Sequence, residues 1–317
     1  MKTEQYLHHH HNRRLSSPLI KLTKPAAYFI LLLLTYTLGY LSHPSSTSLP
    51  PSPSPSPPPP PPPPPSPPIL RLSINTTELE PFRAMTRCAD PLQPETVRRT
   101  VIDRIFKGES LFHDFPPAHA AGKLRQSTRI KGWGSNGTVF ENLIRKVRPR
   151  TIVEVGTFLG ASALHMAELT RRLGLKTQIL CIDDFRGWAG FRDRFKYIPM
   201  VNGDVFLFYQ FLQNVVTFNQ TESVLPIPFS SGSALIKLCE LGVFADLVEI
   251  DAGHDFLSAW ADINRGFRIL RPGGVIFGHD YFTAADNRGV RRAVDLFARI
   301  HNLKVKIDGQ HWVIYST

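Results

Sequence analysis

The stretch IVEVGTFLGASA, residues 152–163, joins an apolar run to a small-residue helix start through two glycines. A strand that turns into a helix in this way usually grips a nucleotide-like ligand. Gly156 has no Cβ, so its backbone can approach a ligand closely and adopt a positive φ. The helix start from Gly160 to Ser162 aims free N–H groups and a partial positive charge at an anionic ligand group. Glu154 is an acid just ahead of the turn. The spacing of Gly156 and Gly160 is not that of the G-x-G-x-x-G dinucleotide fingerprint. The next apolar run, QILCID, ends at Asp183, an acid suited to accept hydrogen bonds from both ribose hydroxyls. Asp184 beside it is the alternative. Further on, Ser231-Gly232-Ser233-Ala234 opens a helix, where Ser231 either caps the helix or touches adenine.

A second reactive group lies in DLVEIDAGHDFLSAWADINRGFRILRPGGVIFGHDYF, residues 246–282. One apolar run ends at Asp251 and the next at Asp280, with His254 three positions after Asp251. An unperturbed histidine, with a pKa of about 6.5, can take a hydroxyl proton near neutral pH. Asp280 can orient either His254 or His279. The segment FRGWAGFRDRFKYIPMVNGD after Asp184 is long for a connection in such a fold and reads as a lid or binding loop. Its Trp188 and Phe191 are candidates to cover a ligand. Its Arg186, Arg192 and Arg194 are candidates to attract an acidic acceptor.

The elements that position these residues follow from periodicity. An amphipathic helix runs from Pro94 to a stop at Gly108, and a second starts at Thr138 and leads into the strand 151–155. Strand and helix patterns then alternate, with apolar runs ending at Asp183, Asp251 and Asp280 and a short one at VLPIPF. The last helix, GVRRAVDLFARI, precedes LKVKI and HWVIYS, which are joined at Asp308-Gly309-Gln310, a strong hairpin signal. A repeated βα pattern forces a parallel sheet with helices on both faces. The expected fold is α/β: a doubly wound, mostly parallel, seven-stranded Rossmann-like sheet closed by a C-terminal antiparallel hairpin.

This ending, the spacing Glu154-x-Gly156-x-x-x-Gly160, the tip Asp251-Ala-Gly-His254, the turn Arg271-Pro-Gly-Gly274 and the tip Gly278-His279-Asp280 resemble class I S-adenosylmethionine-dependent methyltransferases. The resemblance is to the group that includes cephalosporin-hydroxylase-like proteins, and it covers residues 130 to 317. It implies S-adenosylmethionine as cofactor, held by Glu154, Gly156, Gly160, Ser162, Asp183, Ser231 and Asp251, and transfer of methyl to oxygen on a sugar or phenolic acceptor. It implies His254 as the base, where relatives keep a lysine, with Asp251 beside it as a catalytic residue. In metal-dependent relatives, acids matching Asp251 and Asp280 bind magnesium. There an asparagine follows the second acid, whereas this chain has Tyr281, so a ligand is missing or comes from elsewhere, such as His279. The rival functions are an oxidoreductase of the cephalosporin-hydroxylase type and a binding protein without catalysis.

The chain has 317 residues and a formal net charge of +11, with no basic run interleaved with aromatics, so nucleic acid is not an expected partner. AAYFILLLLTYTLGYL, residues 26–41, carries no charge. With Pro25 it makes about 17 residues, roughly 25 Å of helix, just enough for a thin bilayer. Lys2, Arg13, Arg14, Lys21 and Lys24 precede it, which leaves the N-terminus cytosolic and sends the remainder into the lumen. The proline tract of residues 48–68 is a polyproline II spacer. The expected organisation is a cytosolic tail at 1–24, a signal anchor at 25–42, a disordered stalk at 43–81 and a catalytic domain at 82–317. A single-pass type II protein of the Golgi or another secretory membrane follows, facing a small-molecule or glycan acceptor. Sequons at Asn75, Asn136 and Asn219 agree with a lumenal domain. The run His8 to His11 reads as a solvated tail. The three cysteines, Cys88, Cys181 and Cys239, match no zinc spacing and no disulfide framework, and Cys181 and Cys239 are expected in the core.

Overall fold

The structure, a computed structural model, describes residues 87–188 and 190–316. The expected tail, anchor and stalk lie outside these residues. Among the described residues no helix is long and apolar enough to cross a membrane.

Apolar runs rich in Val, Ile and Leu form strands buried on both faces, as a parallel sheet sandwiched by helices requires. Strand β1 (Thr151–Val155) lies between β2 (Gln178–Ile182) and β6 (Ala245–Ile250), parallel to both. Beyond β2 is β5 (Val224–Ile227), and beyond β6 is β7 (Leu270–Gly278). The last strands, β8 (Lys306–Asp308) and β9 (His311–Tyr315), form the expected hairpin at Gly309 and Gln310. β9 inserts antiparallel between β7 and β8, giving the order β5-β2-β1-β6-β7-β9-β8. Strand order reverses at β1 and β6, so their carboxyl ends open the crevice where such sheets hold ligands.

Successive side chains divide between the two faces. Val153, Val155, Leu180, Ile182, Val248 and Ile276 join one core. That core is covered by α1 (Pro94–Ile105), α7 (Ser231–Glu240), α8 (Phe256–Arg268) and α9 (Ala285–Ile300). Ile152, Ile179, Leu247, Val275 and Phe277 join the other, under α3 (Thr138–Val147), α4 (Ala161–Arg172) and α6 (Leu207–Thr217). A short α2 (Ala118–Ala121) also packs here through Ala120. The regular part of α9 starts where the sequence predicts it, at Gly289, because Asp286, Asn287 and Arg288 take left-handed φ of 51°, 54° and 56°.

Three details add to or depart from expectation. The long connection after Asp184, expected as a lid or binding loop, carries α5 (Phe191–Arg194) and a hairpin of β3 (Met200–Val201) and β4 (Asp204–Val205). Phe191 and Phe195 anchor it in the core, while Trp188 stays exposed. Second, α7 is capped by Ser230, whose hydroxyl accepts the Ser233 N–H, rather than by Ser231. The Ser231 hydroxyl instead hydrogen-bonds Asp262 of α8. Third, Cys88 and Cys239 form a disulfide across 151 residues of sequence, leaving Cys181 as the free buried thiol among the described residues. The bond fixes the arm before α1 to the end of α7. Ala89 N–H donates to the Cys239 carbonyl there, and Leu92 N–H to that of Gly242.

Candidate active site

The turn after β1 brings together most of the residues read as cofactor-binding. Gly156 has φ +89°, and a Cβ built there would lie 2.1 Å from the Asp251 carbonyl oxygen. The glycine therefore lets the tips of β1 and β6 touch, backbone to backbone, at the switch point. Gly160, φ +85°, is the N-cap of α4 and leaves no room for a Cβ beside the Phe211 ring. Glu154 is buried and accepts hydrogen bonds from the Thr157 and Ser162 hydroxyls. Burial raises its pKa against those two bonds. Glu154 has no exposed surface, so a direct ammonium contact is not built into this geometry. Asp183 accepts the Phe158 N–H at 2.8 Å and the Phe185 N–H at 2.7 Å. Each oxygen keeps lone-pair capacity for a ribose hydroxyl. Asp184 is exposed and accepts the Arg186 N–H, so Asp183 is the acid tied to the turn.

The tips of β6 and β7 carry the second group. Asp280 has φ +61°, which turns its carboxylate back over the sheet end. Its Oδ2 lies 3.0 Å from His254 Nε2 and 3.3 Å from His279 Nδ1, and its Oδ1 accepts the Thr283 hydroxyl at 2.6 Å. Burial would raise the Asp280 pKa, but the hydrogen bonds from His254, His279 and Thr283 outweigh it and hold it well below the carboxylate range. Its hydrogen bond raises the pKa of His254, and pushes that of His279 up to about 9. Asp251, 4.0 Å from His279 Nδ1, is raised by burial to about 7. His311 under this group is buried and, with His279 charged nearby, drops to about 4.

A loop that the sequence reading passed over completes the site. Gly134, φ +63°, has no room for a Cβ against the His279 ring, and Gly137 faces His311. Between them and α4, Gly132 packs against Ala161. Trp133 meets Phe158 of the cofactor turn at 5.8 Å between ring centroids, and Trp188 and Phe195 at 6.1 and 6.0 Å. The sequence signal was the glycine-rich run GWGSNG, residues 132–137. Glu249 was also missed, because it interrupts an otherwise apolar strand. It is the register partner of Glu154.

A family model described as a methyltransferase domain matches residues 153–281, from β1 through the tip of β7. That match spans 129 of the 317 residues, and the region it covers is similar to a methyltransferase domain. No curated relative matches the chain. Among solved structures, an O-methyltransferase from Bacillus cereus in complex with SAH is 18% identical, with 71% of this chain and 100% of that one covered and a TM-score of 0.42. The O-methyltransferase TomG from Streptomyces achromogenes, involved in tomaymycin synthesis and solved with SAM, is 14% identical, with 77% and 97% covered and a TM-score of 0.42.

The crevice offers a ligand a bend without side chains, a helix N-terminus and a strand-end acid, which together suit a zwitterionic nucleoside. It offers a metal less. Asp251, His254 and Asp280 each place one donor atom within 4.8 Å of the others. Magnesium prefers oxygen ligands. Here the third donor is an imidazole, and the Asp280 oxygens already face His254, His279 and Thr283. The set fits magnesium poorly. Ser231 is engaged with Asp262 of α8.

Proposed function

We propose that this methyltransferase acts on oxygen, on a sugar or phenolic hydroxyl, in the lumen of a secretory compartment. The single observation that carries O-transfer is the His254–Asp280 pair standing beside the point where β1 and β6 touch. S-adenosylmethionine supplies an activated methyl group on a sulfonium, ready for in-line displacement. The chain supplies position and a proton acceptor. Gly156 and the α4 N-terminus hold the amino-acid end, and Asp183 holds the ribose. His254, neutral in its working form, donates its Nε2–H to Asp280 and takes the acceptor hydroxyl proton on Nδ1 as the oxygen–methyl bond forms, and Asp280 fixes the ring and stabilises the resulting cation. His279, charged near neutral pH, balances Asp280 and Asp251.

Two features support the lumen. A disulfide between Cys88 and Cys239 belongs in an oxidising compartment. The sequon asparagines Asn136 and Asn219 are both exposed. A signal anchor at residues 25–42 supplies the membrane attachment in this reading.

The test is to incubate the purified full-length chain with methyl-labelled S-adenosylmethionine and fractionated glycans and phenolics. Label should appear in an ether-linked methyl group, and Asp183→Ala should weaken S-adenosylhomocysteine binding. Preferential binding of NADH would instead establish the oxidoreductase.

A further inference from the structure

Beside the cofactor turn, on the outer side of the loop that carries Trp133, lies a cleft of about 980 Å³. The crevice at Asp251, His254 and Asp280 is far smaller. The large cleft is lined by Arg129, Lys131 and Arg194, with Trp133 and Phe195 between them. All three cations are exposed, and none makes an ion pair among the described residues. Elsewhere on the surface pairing is common: Arg145 meets Glu141, Arg150 meets Glu95, and Arg291 meets Asp295. Glu168 is the acid that lines the cleft, and its charge is already shared by Arg171 and Arg172. A concave wall with three uncompensated positive charges raises the local concentration of anions.

We infer that this cleft binds the methyl acceptor and that the acceptor is an acidic saccharide bearing several carboxylates. The inference rests on the proposed O-methyl transfer and narrows its substrate class. A phenolic monocarboxylate needs one cation and a narrow slot. Three cations along an open cleft match repeated carboxylates instead, and the half-exposed Trp133 face suits the apolar face of a pyranose ring. The loop that walls the cleft also reaches the proposed site. Trp133 touches Phe158, whose N–H is held by Asp183, and Gly134 one residue on lies against His279. One short loop thus joins the cationic wall to both the cofactor turn and the histidine group.

The experiment measures binding of trigalacturonate and of neutral trigalactose to the full-length chain by calorimetry, at low and at moderate salt, with S-adenosylhomocysteine titrated separately. The native chain should bind the acidic trimer at least about ten-fold more tightly at low salt, and moderate salt should erode that preference. The double variant Lys131→Glu, Arg194→Glu should lose the preference while binding S-adenosylhomocysteine within about two-fold of the native chain, since the acids of the cofactor turn are held by other residues. Trp133→Ala should weaken both trimers. Equal affinity for the two trimers, or a preference that survives the double variant, overturns the proposal. So does loss of S-adenosylhomocysteine binding in a double variant of native melting temperature, because the cleft would then belong to the cofactor. If the native chain binds no S-adenosylhomocysteine, the methyltransferase reading fails, and the trimer preference still decides the charge of the cleft on its own.

Discussion

Glu154 of β1 and Glu249 of β6 are register partners on adjacent parallel strands, both buried on the same face of the sheet. Paired positions on neighbouring strands are about 4.8 Å apart. Glu154 is stabilised by the Thr157 and Ser162 hydroxyls, whereas the Oε2 of Glu249 is buried with no hydrogen-bond partner. Burial, then the neighbouring Glu154 and Asp251, push the Glu249 pKa well up. One acid of the pair is therefore satisfied and the other strained, directly beneath the cofactor turn.

This arrangement makes stability depend on pH in a definite direction. A carboxyl raised in the folded state holds its proton where the unfolded chain has lost it. Stability is then highest at acidic pH, below the unfolded pKa, and falls as pH rises toward the folded value. Glu249→Gln removes that loss. The variant should be more stable than the native chain at pH 8 by about 1–3 kcal/mol, because each pH unit between the unfolded and folded pKa values costs about 1.4 kcal/mol. The gain should shrink as pH falls toward the ordinary carboxylate range. Urea unfolding at several pH values checks it, and an equal effect at all pH values would show that Glu249 is not the titrating group.

The His254–Asp280 pair predicts the acid limb of the pH–rate profile. The Asp280 hydrogen bond raises the His254 pKa, so the neutral base form is gained at higher pH than in an unperturbed histidine. His254→Ala should lower kcat by about 10²–10⁴-fold and leave S-adenosylhomocysteine binding intact. Asp280→Asn removes the negative partner, so the limb should move to lower pH while the maximal rate falls. A limb that stays in place after Asp280→Asn would separate the base from this pair.

The Cys88–Cys239 bond closes a loop of 151 residues that contains β1, β2 and β5 of the seven-stranded sheet. Cross-links of that span limit the unfolded chain strongly, and their removal typically costs about 2–5 kcal/mol. Cys88→Ser should lower the melting temperature and release the arm that Ala89 and Leu92 tie to α7. Expression in a reducing compartment should reproduce the loss in the native chain. An unchanged melting temperature in both would mean the arm is held by its backbone bonds alone.

The fold was legible because its strands are continuous apolar runs and its final hairpin carries an Asp-Gly turn. Asp183, Asp251 and Asp280 fall just past the strands predicted to end at them, so the ligand edge of the sheet was readable too. What the sequence hid depends on contacts distant along the chain. Cys88 and Cys239 give no local spacing signal across 151 residues. Trp133 sits in a glycine-rich run that resembles any loop until Gly134 is seen against His279. Glu249 looks like a lone charge in a strand until the register sets it beside Glu154. Gly156 was read as making room for a ligand. In the structure the nearest atom to its missing Cβ is the Asp251 carbonyl oxygen.

That last contact yields a sharp test of the switch point. A Cβ on Gly156 would meet three backbone atoms, the Asp251 O at 2.1 Å, its C at 2.6 Å and the Ala252 Cα at 2.9 Å, none of which can rotate away. The φ of +89° adds conformational strain. Gly174 is a control: its φ is +66°, but nothing lies within 4 Å of a Cβ there. Gly174→Ala therefore carries strain alone, about 1 kcal/mol, whereas Gly156→Ala adds overpacking and should cost about 2–4 kcal/mol in all. Because the collision separates the tips of β1 and β6, Gly156→Ala should also weaken S-adenosylhomocysteine binding at temperatures where the variant remains folded, and Gly174→Ala should not. Equal urea midpoints for the two variants would mean that β1 and β6 do not meet as closely as this arrangement requires.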